Sequence, residues 1–428
     1  MAAWPRLAYP VRMSDWKRVL IEFVDDVESE FDRLKNRLAY AMGGPEPIKI
    51  VPYRGFGTTE RLFVHGRVLE DQGIRSPRDD DSIWRNMLAT YRRLASHEVP
   101  HARLRVSAGG QEQEIEADEE GQFSAWLEPP QRPQQRQEEW RRVDFELIEP
   151  RSDKQSGPVR AGTEVLVPSP SARFGVISDI DDTVLKSDAT NLLRMARTVF
   201  LGNANTRLPF PGAAAFYRAL RRGADGGGPN PLFYVSNGPW NLYDLLVDFL
   251  RLKEFPDGPV MFLRNWGISD EALSPADKSA QRAHKLRSIE SILDAYPDLP
   301  FILVGDSGEQ DPEIYRDIVE DHGERILAVY VRNIDHDLQR PAAIGELARE
   351  IVEHGSTLLL AKTSLAMAEH AVERGWIQPE SLADISRETH QDEQEPSTLE
   401  RLLGADEQPE DAPDVLIEPR DEPASPDS

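Results

Sequence analysis

Val176-Ile177-Ser178-Asp179-Ile180-Asp181-Asp182-Thr183 ends an apolar, β-branched run in two carboxylates spaced two residues apart, with a hydroxyl two residues further on. Side chains two apart on an extended segment point the same way, so Asp179 and Asp181 are expected to crowd one small volume. Like charges that close cost energy unless a cation or a shared proton relieves them, which suits chemistry at a strand's carboxyl end more than stability. A calcium loop of the EF-hand type starting at Asp179 needs Gly at its sixth position and Glu at its twelfth. The chain has Val184 and Thr190 there, which excludes that reading. On this motif alone, the D-x-D clamp of a glycosyltransferase and a plain acidic turn both stay open.

Further polar residues follow the next apolar runs. Leu232 to Ser236 runs into Asn237 and Gly238, the helical stretch Pro275 to Ala295 holds Lys285, and Phe301 to Gly305 leads into Asp306-Ser307-Gly308-Glu309-Gln310-Asp311. Carboxylates, a hydroxyl and an ammonium are thereby delivered to one edge of a sheet. Phosphate monoesters are among the slowest molecules to hydrolyse unaided. A carboxylate nucleophile, here Asp179, divides the task into formation and hydrolysis of an aspartyl-phosphate. Asp181 fits the general acid and base. Mg²⁺ fits a site made by Asp179, the backbone carbonyl of Asp181, and Asp306. Ser236, the Asn237 amide and Lys285 fit the remaining phosphoryl oxygens. Thr183 completes the first motif, and Asp311 is expected to orient either a metal-bound water or Lys285.

D-x-D-x-T, a strand-end Ser, a helical Lys and G-D-x-x-x-x-D, in that order, resemble the haloacid dehalogenase superfamily of aspartyl-phosphate phosphohydrolases. Ser178 to Thr183, Val235-Ser236-Asn237-Gly238-Pro239-Trp240 and Gly305 to Tyr315 look like the actin-patch-associated phosphatidate phosphatase family within it. The resemblance spans Phe174 to Ile377, and the front around Gly66-Arg67-Val68 is similar more loosely. It implies Mg²⁺-dependent release of phosphate, with phosphatidate giving diacylglycerol as the expected reaction. A phosphatase for a soluble or polymeric phosphate monoester is the alternative enzyme. A non-catalytic scaffold using the β-rich front and the tail is the alternative non-enzyme.

The elements that must position these groups follow from hydrophobic periodicity. Alternating buried strands and helices from Phe174 onward predict an α/β, doubly wound parallel sheet, where ligands bind beyond the strands' carboxyl ends. This catalytic unit is expected at 173–378, with a small helical cap insert at 184–231 that would leave the site open to a bulky lipid. Segments of period two with turn signals predict an all-β, sandwich-like domain at 45–150, including a hairpin at Gly109-Gly110 and an inserted helix from Ser82 to Ser96. An amphipathic helical segment is expected at 1–44 and a linker at 151–172, the latter holding one short strand, Glu164-Val165-Leu166-Val167. His97-Glu98-Val99-Pro100-His101 matches a zinc-protease pattern, but Pro100 breaks the helix that motif requires, so loop residues are predicted. Gly226-Gly227-Gly228 precedes a strand and reads as a turn, not a phosphate loop.

Composition bounds the remaining classes. The chain has 428 residues, no Cys and a net charge of −25, which disfavours nucleic acid as a partner and excludes disulfides and thiolate chemistry. No apolar run approaches a membrane span, and the N-terminus lacks the apolar core of a signal peptide, so a cytoplasmic protein, peripheral at membranes, is expected. Residues 379–428 carry 16 Asp and Glu against 3 Arg and read as a disordered acidic tail. Val415-Leu416-Ile417 stands out there as a docking island for a protein partner.

Overall fold

A computed structural model describes residues 47–71, 98–129, 139–155, 157–180, 211–225, 229–240, 243–263, 275–307, 310–333, 340–394 and 415–417. The predicted helices over 14–41 and 82–96, and the first part of the cap insert, lie outside them.

The front half forms strands β1 (Ile48–Gly57), β2 (Leu62–Glu70), β3 (Arg103–Ala108), β4 (Gln111–Glu116), β5 (Gln122–Leu127), β6 (Trp140–Glu149) and β7 (Arg160–Leu166). Instead of a two-layer sandwich they make one seven-stranded sheet in the order β4-β3-β6-β7-β1-β2-β5. Its outer strands β4 and β5 touch each other, so the sheet rolls around a core that includes Val64, Val68, Leu104, Val106, Phe123 and Phe145. Register shifts in β1 between Tyr53 and Phe56 and in β3 at Arg103/Leu104 supply the extra local twist that rolling requires. The β3–β4 hairpin turns at Gly109 and Gly110 with φ of 62° and 94°, the left-handed pair that a two-residue turn needs. The stretch expected as a linker supplies β7, which pairs with β6 on one side and β1 on the other.

The second half begins with the central strand β8 (Gly175–Asp179), buried throughout as expected for a parallel strand covered on both faces. With β9 (Leu232–Pro239), β10 (Val260–Leu263), β11 (Phe301–Asp306), β12 (Ile326–Arg332), β13 (Leu358–Ala361) and β14 (Val415–Ile417) it makes a second sheet, ordered β10-β9-β8-β11-β12-β13-β14. The first six strands are parallel, and β14 joins the edge antiparallel, with Leu416 opposite Leu359. The docking island of the tail is thus docked on the chain's own sheet.

Strand residues alternate between two cores. Val176, Tyr234, Ile302, Val304 and Tyr330 face α1 (Ala213–Arg222), α2 (Tyr243–Leu252), α6 (Ser364–Glu373) and α7 (Ser381–Gln394). Ile177, Phe233, Leu303, Val329 and Val331 face α3 (Pro275–Ala295), α4 (Asp311–His322) and α5 (Arg340–Glu353). Helix α7 falls inside the stretch expected to be a disordered tail. Ile385 and Thr389, four residues apart, bury one face against α1, where Glu388 pairs with Arg218. On the same helix Arg221 pairs with Glu139 at 2.6 Å.

The two sheets share packing. Phe56 and Leu166 of the rolled sheet enter the same core as Phe233 and Phe301, and the Gly57 N–H donates to Tyr296 Oη at 3.0 Å. Among the described residues no helix is long and apolar enough to cross a membrane.

Candidate active site

The carboxyl ends of β8, β9 and β11 lie side by side, because β8 pairs with β9 on one flank and with β11 on the other. Asp179 is the last residue of β8, and its carboxylate is 2.7 Å from Lys285 Nζ, with both side chains almost completely buried. Lys285 reaches in from α3. It occupies the same stripe as Ser288, Ile289 and Ile292, three, four and seven residues on, so the cation sits on the helix's buried face. Such a lysine stays charged only among carboxylates, and it has two, since it also donates to Asp311 Oδ1.

Asp311 opens α4 and is fully buried. Its other oxygen accepts the backbone N–H of Asp306 at 3.2 Å, tying the helix start to the end of β11. A helix N-terminus favours a carboxylate there. Carboxylate oxygens of Asp179, Asp306 and Asp311 lie within 4.8 Å of one another, the donor set and spacing of a divalent metal site.

Ser236 is buried within β9, one step beyond Val235, which opposes Asp179 across the β8–β9 ladder. Asn237 continues that strand, placing its backbone on the same edge. Asp181 and Thr183 lie outside the described residues. The geometry therefore joins Asp179, Lys285, Asp306 and Asp311, and brings the Ser236 position alongside on the neighbouring strand.

Two tyrosines bracket this cluster without having been predicted. Tyr315 Oη donates to the Val304 carbonyl at 2.8 Å, and its ring fills the space beside Gly305. Tyr217 of α1 shares a 2.8 Å hydrogen bond with Ser178 Oγ behind Asp179. Burial pushes both phenols well above their usual range, so they act as neutral packing and hydrogen-bonding groups. The sequence signal for Tyr315 is its place at the end of the Gly305 to Tyr315 motif, four residues after Asp311.

Of the zinc-protease pattern, His97 lies outside the described residues. His101 lies exposed in a turn with φ of 55° beside Glu116, while Glu98 turns inward to Arg67.

Residues 174–333 match the family model described as phosphatidate phosphatase APP1, catalytic domain. The chain is 36% identical over 160 residues to phosphatidate phosphatase APP1 of Saccharomyces cerevisiae, covering 37% of this chain and 26% of that protein. An uncharacterised protein of Schizosaccharomyces pombe is 29% identical over 166 residues, covering 38% of this chain and 26% of its own length. The chain thus spans about a quarter of the length of the curated relatives it matches. Among solved structures, a carbohydrate acetylesterase from Xanthomonas citri aligns over 69% of this chain and 71% of its own at 13% identity, with a TM-score of 0.21, too low to carry an argument. The matched stretch starts at Phe174 and encloses Asp179, Ser236, Lys285, Asp306 and Asp311.

Proposed function

We propose that the chain is a Mg²⁺-dependent phosphatase of the haloacid dehalogenase type, and that it cleaves phosphatidate to diacylglycerol and phosphate. The single observation that carries the reaction type is the buried contact of Asp179, at the end of the central strand, with Lys285 inside the carboxylate cluster. An enzyme of the phosphoric monoester hydrolase class, as opposed to a scaffold, is supported by the catalytic-domain match over this same cluster. The lipid substrate is supported by the name of the yeast relative.

In this reading an Asp179 carboxylate oxygen attacks phosphorus while the P–O bond to the glycerol breaks. The leaving oxygen takes a proton from Asp181. Water then attacks the aspartyl-phosphate, giving its proton back to Asp181 and releasing phosphate with Asp179 restored. Lys285 and Ser236 hold the phosphoryl oxygens through both steps. Asp179, Asp306 and the Asp181 carbonyl would hold Mg²⁺, which would offset repulsion between the phosphoryl group and the carboxylates. The protein would act in the cytoplasm and meet its substrate peripherally at a membrane surface.

The test is phosphate release from phosphatidate in mixed micelles, beside sugar, nucleotide and peptide phosphates, with Mg²⁺ or EDTA. Turnover of phosphatidate that disappears with EDTA and in Asp179→Asn is the expected result. Turnover of small soluble esters with none of phosphatidate overturns the lipid assignment. Equal inertness of wild type and Asp179→Asn on every substrate overturns the enzyme and returns the scaffold.

A further inference from the structure

Arg67 of β2 is the largest fully buried side chain of the described residues, at 1% exposure. It lies in the Gly66-Arg67-Val68 stretch of the rolled sheet, yet its guanidinium carbon sits 3.2 Å from the ring centre of Trp240 in the other half of the molecule. Trp240 closes the segment that begins at Ser236 and Asn237. On its far side Arg67 is held by an ion pair with Glu98 and by a hydrogen bond to the Glu120 carbonyl at 3.1 Å. Nε and Nη1 find no hydrogen-bond partner among the described residues, so the indole face is what those desolvated donors meet. Three residues further on, Tyr243 is clamped from the same sheet. Its ring lies 4.4 Å from that of Tyr53, and its hydroxyl accepts the Arg54 N–H at 3.0 Å. Burying a guanidinium with two of its nitrogens outside any hydrogen bond is costly, and the indole face offsets part of that cost.

We propose that Arg67 is a positioning residue for phosphoryl binding: stacked on Trp240, it fixes the Ser236–Trp240 segment at the distance from Asp179 that the phosphoryl group requires. The rolled sheet is then part of the active unit and not an appended module. The inference rests on the phosphatase reading above. A shift of about one ångström in a substrate-holding segment costs up to about a hundredfold in rate without touching the reacting atoms.

The experiment uses the full chain as wild type, Arg67→Met, Arg67→Lys, Trp240→Leu and the Arg67→Met/Trp240→Leu double variant. Melting temperature, orthophosphate affinity by calorimetry with Mg²⁺ present, and kcat and KM for phosphate release are measured for each. Arg67→Met should bind orthophosphate at least about tenfold more weakly and raise KM more than it lowers kcat. Arg67→Lys should recover part of the loss, and Trp240→Leu should reproduce it. The double variant should lose no more than either single one, because both remove one contact. Folded Arg67→Met with wild-type phosphate affinity and kinetics overturns the proposal, as do additive losses. Should Arg67→Met fail to fold, Trp240→Leu decides by the same criteria, since it leaves the Arg67–Glu98 pair in place. A wild type that neither binds orthophosphate nor releases it overturns the phosphatase reading and this one together. An active wild type with unimpaired variants overturns the positioning role alone.

Discussion

Lys285 shares one ammonium between Asp179 and Asp311, and all three side chains are almost wholly withdrawn from water. Removing the cation while keeping its stem leaves two carboxylates facing each other in a desolvated site. Lys285→Met should therefore lower stability by about 3 kcal/mol in EDTA. Added Mg²⁺ should restore part of that, because a divalent ion supplies the missing positive charge. Thermal melts with and without Mg²⁺ check this, and an unchanged melting temperature in EDTA would refute it. A second titratable group acts at a distance from the chemistry. Burial between the rings of Tyr53 and Phe63 pushes the His65 imidazole down to about 4. The folded protein then binds this proton more weakly than the unfolded chain. The contribution is complete above about pH 6.5 and is lost as pH falls toward 4, amounting to at most about 3 kcal/mol. Denaturant melts between pH 4 and 7 should show this slope in wild type and a shallower one in His65→Gln.

At the level of elements, the turn from β11 into α4 sets the spacing of Asp306 and Asp311. A β-carbon on Gly305 would lie 2.3 Å from Asp311 Oδ2 and 2.8 Å from the Tyr315 ring, so no side chain fits without moving one of them. Gly305→Ala should displace Asp311 from Lys285 and reduce phosphate release by more than about tenfold, at a smaller cost in stability. Full activity would show that the Asp311 contact is dispensable. This turn was legible in the chain as an apolar run meeting Gly-Asp with a second Asp five residues on, and the same logic located β8, β9 and the helix bearing Lys285. What escaped the reading had physical reasons. Helix α7 hides its buried Ile385 and Thr389 in a strongly acidic stretch whose composition outweighed its period. β13 is four apolar residues between helices, too short for any period to show. The rolled sheet was taken for a sandwich because alternation reports that a strand has one buried face, not what covers it. The contact of Arg67 was invisible, because one cation in a strand carries no mark of the indole it meets 173 residues further along the chain.

For the molecule as a whole, β14 closes an edge that would otherwise offer β13 unpaired backbone groups. Three residues are a short strand, yet they pair Leu358, Leu359 and Leu360. Exposed apolar edges recruit other strands. Truncation after residue 394 should therefore leave phosphate release intact and produce concentration-dependent self-association in sedimentation velocity runs. A truncated chain that stays monomeric at all concentrations would show that the edge is protected by other means.

The shared core of Phe56, Leu166, Phe233, Tyr296 and Phe301 sets a limit on dissection. A cut at the apparent boundary near residue 172 divides one oil-like interior, leaving aromatic rings of both pieces facing solvent. The fragment bearing the whole set of acids and the lysine would be less soluble than the parent, and its loss of function would say nothing about which half does the chemistry.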